Sequence, residues 1–167
     1  MTDRLQLEPL RPSHAAEMVT VLAASELYRY TGGTPPTLDD LERRYAAQTA
    51  GSPTPGETWH NWIIRVPTEV AVGFLQATVN AQHAEIAWVI ATHAQGVGYA
   101  REAATAVVTW LTSVGINQID AHIHPDHVRS RNVAAAIGLA LTDARDDDGE
   151  DIWTCSRLDL PNHEKPA

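Results

Sequence analysis

Ala84-Glu85-Ile86-Ala87-Trp88-Val89-Ile90-Ala91-Thr92-His93-Ala94-Gln95-Gly96-Val97-Gly98-Tyr99-Ala100-Arg101-Glu102-Ala103-Ala104-Thr105-Ala106-Val107-Val108-Thr109-Trp110-Leu111 is the stretch whose reading decides the fold. It opens as an apolar run of strand character, passes through a short loop ending in Gly-x-Gly, and continues as an alanine-rich segment of helical character. A strand feeding a glycine turn and then a helix leaves backbone N–H groups unpaired at the helix start. Together with the helix dipole they make a site for a phosphate. Glycine lets the backbone approach the anion closely. The same pattern also fits a tight turn that merely needs glycine. It is not a dinucleotide fingerprint, because no third glycine follows Gly98 after two more residues: Arg101 stands there, followed by Glu102 and Ala103.

The order Gln95-Gly96-Val97-Gly98-Tyr99-Ala100 resembles the pyrophosphate loop of the GNAT acetyltransferases, Gln/Arg-x-x-Gly-x-Gly/Ala. Upstream, Ala84-Glu85-Ile86-Ala87-Trp88 extends the likeness. Downstream, Pro125-Asp126-His127-Val128-Arg129-Ser130, then Val133 and Gly138-Leu139, is similar to the Asn-x-x-Ser…Gly-Phe block of the RimJ/RimL-like branch. The resemblance covers roughly the whole chain and is strongest in its middle third. It implies an α/β fold with a mixed central sheet of about seven strands, flanking helices and a splayed pair of central strands. It also implies acetyl-CoA as co-substrate and a primary amine as acceptor.

The rest of the composition agrees with a single soluble domain. At 167 residues, 44% hydrophobic and 20% charged, the chain is long enough for one sizeable core. No apolar run reaches the ~20 residues of a membrane span, and Met1-Thr2-Asp3-Arg4 has no apolar segment behind it, so neither a membrane partner nor a signal peptide is expected. One cysteine, Cys155, excludes an internal disulfide, and a cytoplasmic setting is the default expectation. The net charge of −9 argues against a nucleic-acid partner. A cationic amine suits an acidic surface, although net charge is weak evidence for any one partner. A monomer or a homodimer is expected.

In chain order, Arg4–Leu10 reads as an opening strand. Ser13 can cap a helix carrying Ala16, Val19, Leu22 and Ala23 on one face, and 31–36 breaks it. Thr37 caps a second helix with Leu38, Leu41 and Tyr45 in its buried stripe. Trp59–Val66, Ala71–Val79 and His83–Ile90 form a meander. A helix from Gly98 to Leu111, ended by Gly115, is followed by a strand at Gln118–Ile123 and a helix at Val128–Ile137 stopped by Gly138. Two last strands, Leu139–Thr142 and Asp151–Leu158, flank the acidic turn 145–150, and 161–167 reads as a frayed tail after a single domain spanning 1–160.

Acetyl transfer by direct attack requires that the amine lose a proton, the carbonyl be polarised and the thiolate be tolerated. Glu85, a carboxylate in an apolar strand, is the first candidate base, since burial would raise its pKa. In the family a glutamate here often acts as base, directly or through water; a solvent-facing or arginine-paired strand-end glutamate is the other reading. Asp126 and Glu102 are weaker candidates, with Glu102 expected on the exposed face of its helix. The resemblance assigns Trp88, Val89 and Ile90 to the pantetheine arm. It assigns the N–H groups of Gly96, Val97, Gly98, Tyr99 and Ala100 to the pyrophosphate, with Gln95 either covering the phosphates or lying free in the loop.

Many family members use a tyrosine four residues before the glycine of the Gly-Phe pair as acid; here it is Ala134. The branch offers the serine of Asn-x-x-Ser instead, which is Ser130, able to hydrogen-bond the leaving sulfur or merely to cap its own helix. The asparagine is replaced by His127, which could still contact the CoA arm. Cys155 lacks a nearby histidine in sequence and reads as a small buried residue. His122, His124 and His127 admit a minor metal-site reading, but no metal is expected. Trp59 and Trp62, three apart on a strand, face opposite ways, one to the core and the other to an acceptor pocket that Trp88, Tyr28 and Tyr30 could also line. Two other readings remain: a non-catalytic acyl-CoA-binding module and a His-rich metal-binding protein.

Overall fold

Period-2 alternation along the strands sends one set of apolar side chains to each face of the sheet, and each set calls for its own layer of helices. The computed structural model describes residues 2–156. Its strands are β1 (Gln6–Pro9), β2 (Glu57–Arg65), β3 (Ala71–Asn80), β4 (His83–Ile90), β5 (Gln118–Ile123), β6 (Ala140–Arg145) and β7 (Asp151–Ser156), and its helices are α1 (Ala15–Val21), α2 (Leu38–Ala50), α3 (Tyr99–Ser113) and α4 (Val128–Ala136). The seven strands lie in the order β1-β2-β3-β4-β5-β7-β6, mixed as expected, with β4 and β5 parallel. The expected strand end at 157–158 and the tail at 161–167 lie outside the described residues.

On one face Ala84, Ile86, Ile90, Ile119, Ala121 and Ile123 pack against Ala103, Ala104, Val107 and Leu111 of α3 and Ala134 of α4. On the other, Ile63, with Phe74 and Val89 beside it, meets Met18 of α1, Leu22, and Leu41 and Tyr45 of α2. β4 and β5 pair only at His83↔Gln118, Ala84↔Ile119 and Glu85↔Asp120. Beyond that rung the two strands part, leaving the facing edges of Ile86–Ile90 and Ala121–Ile123 open between the helical layers.

Local chemistry moves several boundaries. The first strand is shorter than Arg4–Leu10 because Arg4 is drawn to Glu102, its N–H donating to Oε1 at 3.0 Å and its Nε to Oε2 at 2.7 Å. Ser13 does not cap a helix; a 3-10 turn at Pro12–His14 leads into α1, and the Arg11 N–H donates to Nδ1 of the buried His14 at 3.1 Å. Helix α1 stops at Val21, with another 3-10 turn at Ser25–Tyr28 before the Gly32-Gly33 break. Thr37 caps α2 as expected, its Oγ1 accepting from the Asp40 N–H at 3.2 Å.

Candidate active site

The centre of the site is the turn between β4 and α3. Gly96 and Gly98 have φ of +83° and +91°, a region open to glycine and costly for residues bearing a Cβ. Gly98 is the N-cap of α3, and the first α-helical bond there runs from the Glu102 N–H to the Gly98 carbonyl at 3.0 Å. Among the described residues the N–H groups of Gly96, Val97 and Gly98 make no hydrogen bond, and those of Tyr99, Ala100 and Arg101 form the unpaired first turn. The loop is exposed at Gly96, Val97 and Gly98. Arg4 reaches it from β1's side, its Nη1 donating to the Val97 carbonyl at 3.1 Å and its guanidinium standing over the Tyr99 ring. Glu102 is thus half-buried in a clasp with Arg4 and Thr2, rather than on an exposed helix face; despite the cost of desolvation, those hydrogen bonds hold its carboxyl below the usual range.

Gln95 neither lies free nor points outward. Its Nε2 donates to the Ile90 carbonyl at 2.8 Å and its Oε1 accepts from Arg129 at the start of α4. It therefore ties the end of β4 to the helix on the other side of the gap. Trp88, Val89 and Ile90 line the gap on β4, with Val89 turned to the α1/α2 face and Trp88 and Ile90 to the α3/α4 face. Gly73 permits this geometry: a Cβ there would lie 2.1 Å from the Val89 carbonyl.

Across the gap, Pro125-Asp126 turns the chain from β5 into α4, the His127 N–H donating to the His124 carbonyl at 2.8 Å. His127 caps α4: its Nδ1 accepts from the Ser130 N–H at 3.4 Å, while its Nε2 lies 3.2 Å from Ser130 Oγ. Burial keeps its imidazole below the usual histidine range. A neutral ring that accepts at Nδ1 carries its proton on Nε2. His127 then donates to Ser130 Oγ, and the serine O–H is left to point elsewhere. Tyr30, from the loop between α1 and α2, stacks on His127 at 4.5 Å and lies 5.3 Å from the His124 ring. Ala134, at the position of the missing tyrosine, is fully buried in the core.

Glu85 stands on the last paired rung of β4, on the α1/α2 face, exposed and without a side-chain hydrogen bond among the described residues. The burial expected of this strand carboxylate is absent. Asp120, its neighbour across the rung, is buried, lies 2.9 Å from His83 Nε2 and accepts from Gln118 and Thr154. Asp126 is exposed. Cys155 is buried in β7. Among the described residues no three His, Cys, Asp or Glu side chains are grouped to hold an ion. His122, His124 and His127 each commit Nδ1 elsewhere: to Asp146, to the Asp126 N–H and to the Ser130 N–H.

A cavity of ≈ 600 Å³ opens away from this gap, at the edge of β2 beyond the end of β1. Trp59 and Trp62 both border it, with Trp110 set edge-on to Trp62 at 5.5 Å. Neither tryptophan therefore lines the gap between β4 and β5.

A mixed sheet parted beside a helix start with free N–H groups offers an anion site next to an open cleft. The comparison with known proteins is more specific: a model of the acetyltransferase (GNAT) domain matches residues 4–140, and the chain belongs to that family. No curated protein matches. Among solved structures, the aminoglycoside acetyltransferase AAC(6')-Ib in complex with paromomycin and acetyl-CoA superposes with a TM-score of 0.81 at 17% identity, over 99% of this chain and 100% of that one. A GNAT-family acetyltransferase from Bacillus anthracis gives 0.76 at 18% identity, covering 92% of this chain and 94% of that one. An acetyltransferase from Agrobacterium tumefaciens str. C58 gives 0.75 at 22%, covering 94% of this chain and 93% of that one. These similarities establish the fold. Among the described residues no helix is long and apolar enough to cross a membrane.

Proposed function

We propose that this protein is an N-acetyltransferase of the RimJ/RimL-like branch that moves the acetyl group of acetyl-CoA to a primary amine by direct attack. The observation that carries the reading is the exposed turn 96–98, with its unpaired N–H groups, at the mouth of the parted strands β4 and β5. The loop Gln95–Ala100 fits a pyrophosphate, with Arg129 adding positive charge beside it and Arg4, paired with Glu102, bracing its backbone. The free edge of Trp88–Ile90 offers backbone groups to an amide-bearing arm such as pantetheine, and one of its N–H groups can polarise the thioester carbonyl. Bound acetyl-CoA supplies the activated acyl group; His127 and Ser130 face its sulfur end, Ser130 donating to the developing thiolate. Glu85, open to water on the α1/α2 face, is the carboxylate toward which the amine's proton finally passes through solvent.

The acceptor is an amine because the α1/α2 side of the gap carries Glu85 and the acidic turn Asp146–Asp148. It is a small polyamine of the kind named with the neighbouring acetyltransferase, or a protein N-terminus, met in a cytoplasmic setting. The test is calorimetric titration with acetyl-CoA, followed by release of free CoA thiol in the presence of paromomycin, spermidine or a short peptide with a free N-terminus. Binding with thiol release that depends on one of these amines supports the transferase. Binding without any such release returns the chain to a non-catalytic acyl-CoA-binding module.

A further inference from the structure

The gap between β4 and β5 has two mouths. On the α3/α4 side both helices close over it. An amine must therefore enter from the α1/α2 side, and the group that deprotonates it must point to that face from the parted segments. On β4 those positions are Ala87 and Val89, neither of which titrates; Glu85 lies below, where the strands are still paired. On β5 the position is His122, with His124 just past the end of the strand, since Ile119, Ala121 and Ile123 point into the opposite core.

The two histidines are poised differently. Nδ1 of His124 accepts from the Asp126 N–H at 3.1 Å, so its neutral ring carries the proton on Nε2 and can only donate there. Nδ1 of His122 lies 2.8 Å from Asp146 Oδ2. A carboxylate only accepts, so a neutral His122 ring carries its proton on Nδ1 and its lone pair on Nε2, for which no partner is found among the described residues. Asp146 is itself held in place: its Oδ1 accepts from the N–H of Asp148 at 3.0 Å and of Glu150 at 2.8 Å. These bonds, the one from Glu150 foremost, keep its carboxyl below the usual range. His122 is half-buried, and by continuation of the β4–β5 register the residue opposite is Ala87, whose small side chain leaves room on this face.

We propose that His122, oriented by Asp146 on the β6–β7 turn, is the base that takes the proton from the acceptor amine. The proposal rests on the transferase reading above. His122 Nε2 takes one proton from the ammonium. The amine nitrogen then bonds to the thioester carbonyl carbon, and the C–S bond breaks with its electron pair passing to sulfur. The second proton of the nitrogen goes to that sulfur, giving the amide and CoA thiol. The proton on His122 leaves to water past Glu85. Asp146 is a positioning residue: it sets the tautomer and the ring's orientation. The charged and titratable groups around His122 are Asp146 and Glu150 from the turn, Asp120 from its own strand and His124 just beyond that strand's end; β7 faces it with Ile152.

The test begins with long-range 15N–1H NMR of the imidazoles in the wild-type protein, which needs no acceptor. His122 is expected as the Nδ1–H tautomer with an unprotonated Nε2, whereas His124 and His127 carry Nε2–H; an Nε2–H tautomer at His122 overturns the proposal. With whichever amine wild type uses, His122→Asn is expected to lower kcat by about 100-fold or more with acetyl-CoA affinity unchanged. Free imidazole should restore part of the rate in His122→Ala, and Asp146→Asn should lower kcat and shift the tautomer signals. A His122→Asn enzyme within twofold of wild type also overturns it. If wild type binds acetyl-CoA but uses no amine, the transferase reading fails, and the tautomer alone still decides how His122 is poised.

Discussion

At the scale of single residues, the roles rest on which atom of each side chain is already engaged. Ser130 has its oxygen facing His127 Nε2 and its hydroxyl proton uncommitted. Ser130→Ala removes one hydrogen bond to a developing charge, worth about 1.5–3 kcal/mol, so kcat should fall roughly 10- to 100-fold with KM for acetyl-CoA nearly unchanged. His127→Ala loses the α4 cap and the Tyr30 stack as well, and is expected to raise that KM and cost about 1 kcal/mol of stability by chemical denaturation. Glu85→Gln removes a carboxylate that is exposed and acts through water. Its kcat should drop about tenfold, less than the ~10²–10⁴ expected for a group that takes the proton directly; a larger loss in stopped-flow thiol release would give Glu85 the direct role. At Gly98 a side chain meets both a positive φ and the phosphate path. Gly98→Val should remain folded, lose about 1–2 kcal/mol and bind acetyl-CoA much more weakly by calorimetry. Unchanged affinity would take the cofactor away from this loop.

At the scale of elements, the parted strands depend on how closely β3 approaches β4. Gly73 pairs with Ile90, and its missing side chain is the space into which the Val89 carbonyl fits. Gly73→Ala forces β4 away from β3 at the rung where the acyl-carrying arm would bind. Its expected cost is about 1–3 kcal/mol, in the range of overpacked sites, with weaker acetyl-CoA binding at a loop that is itself unchanged. A thermal midpoint and an affinity both equal to wild type would show that β4 has slack there. The central helix has little slack on its core side. Leu111, which is fully buried, anchors α3, and the other end of α3 meets the segment ahead of β1 through Arg4 and Glu102.

At the scale of the whole molecule, one buried and two half-buried histidines shape the pH range of stability. Burial lowers the pKa of His14, His60 and His127; Arg65 adds to the effect at His14, where Glu17 opposes it. A group whose folded pKa is depressed binds protons more readily when unfolded. Its contribution is fully present above the ordinary histidine value of about 6.5 and is lost as pH falls through that value toward the folded one. The thermal midpoint should therefore fall from pH 7.5 to pH 5.5, and His14→Gln, His60→Gln and His127→Gln together should flatten that slope. A midpoint that rises on acidification would show that another set of groups dominates.

Local sequence determined what depends on near neighbours along the chain. Gly96 and Gly98 dictate a left-handed turn, Thr37 and Asp40 close a capping box, and the alternation of β4 and β5 separates core from site positions; β4 and β5 take the boundaries expected from their residues. Tertiary structure decided what depends on register between distant segments. Alternation tells that Glu85 and Ala84 face opposite ways, but only the helices packed on each side tell which face is dry, and Glu85 fell on the wet one. The Arg4–Glu102 clasp, the Gln95–Arg129 tie, the Tyr30–His127 stack and the His122–Asp146 pair each join segments far apart in the chain. No spacing rule along the chain reaches such pairs. They follow from strand order and from where β4 and β5 part, a point set by the packing of two helical layers on one sheet.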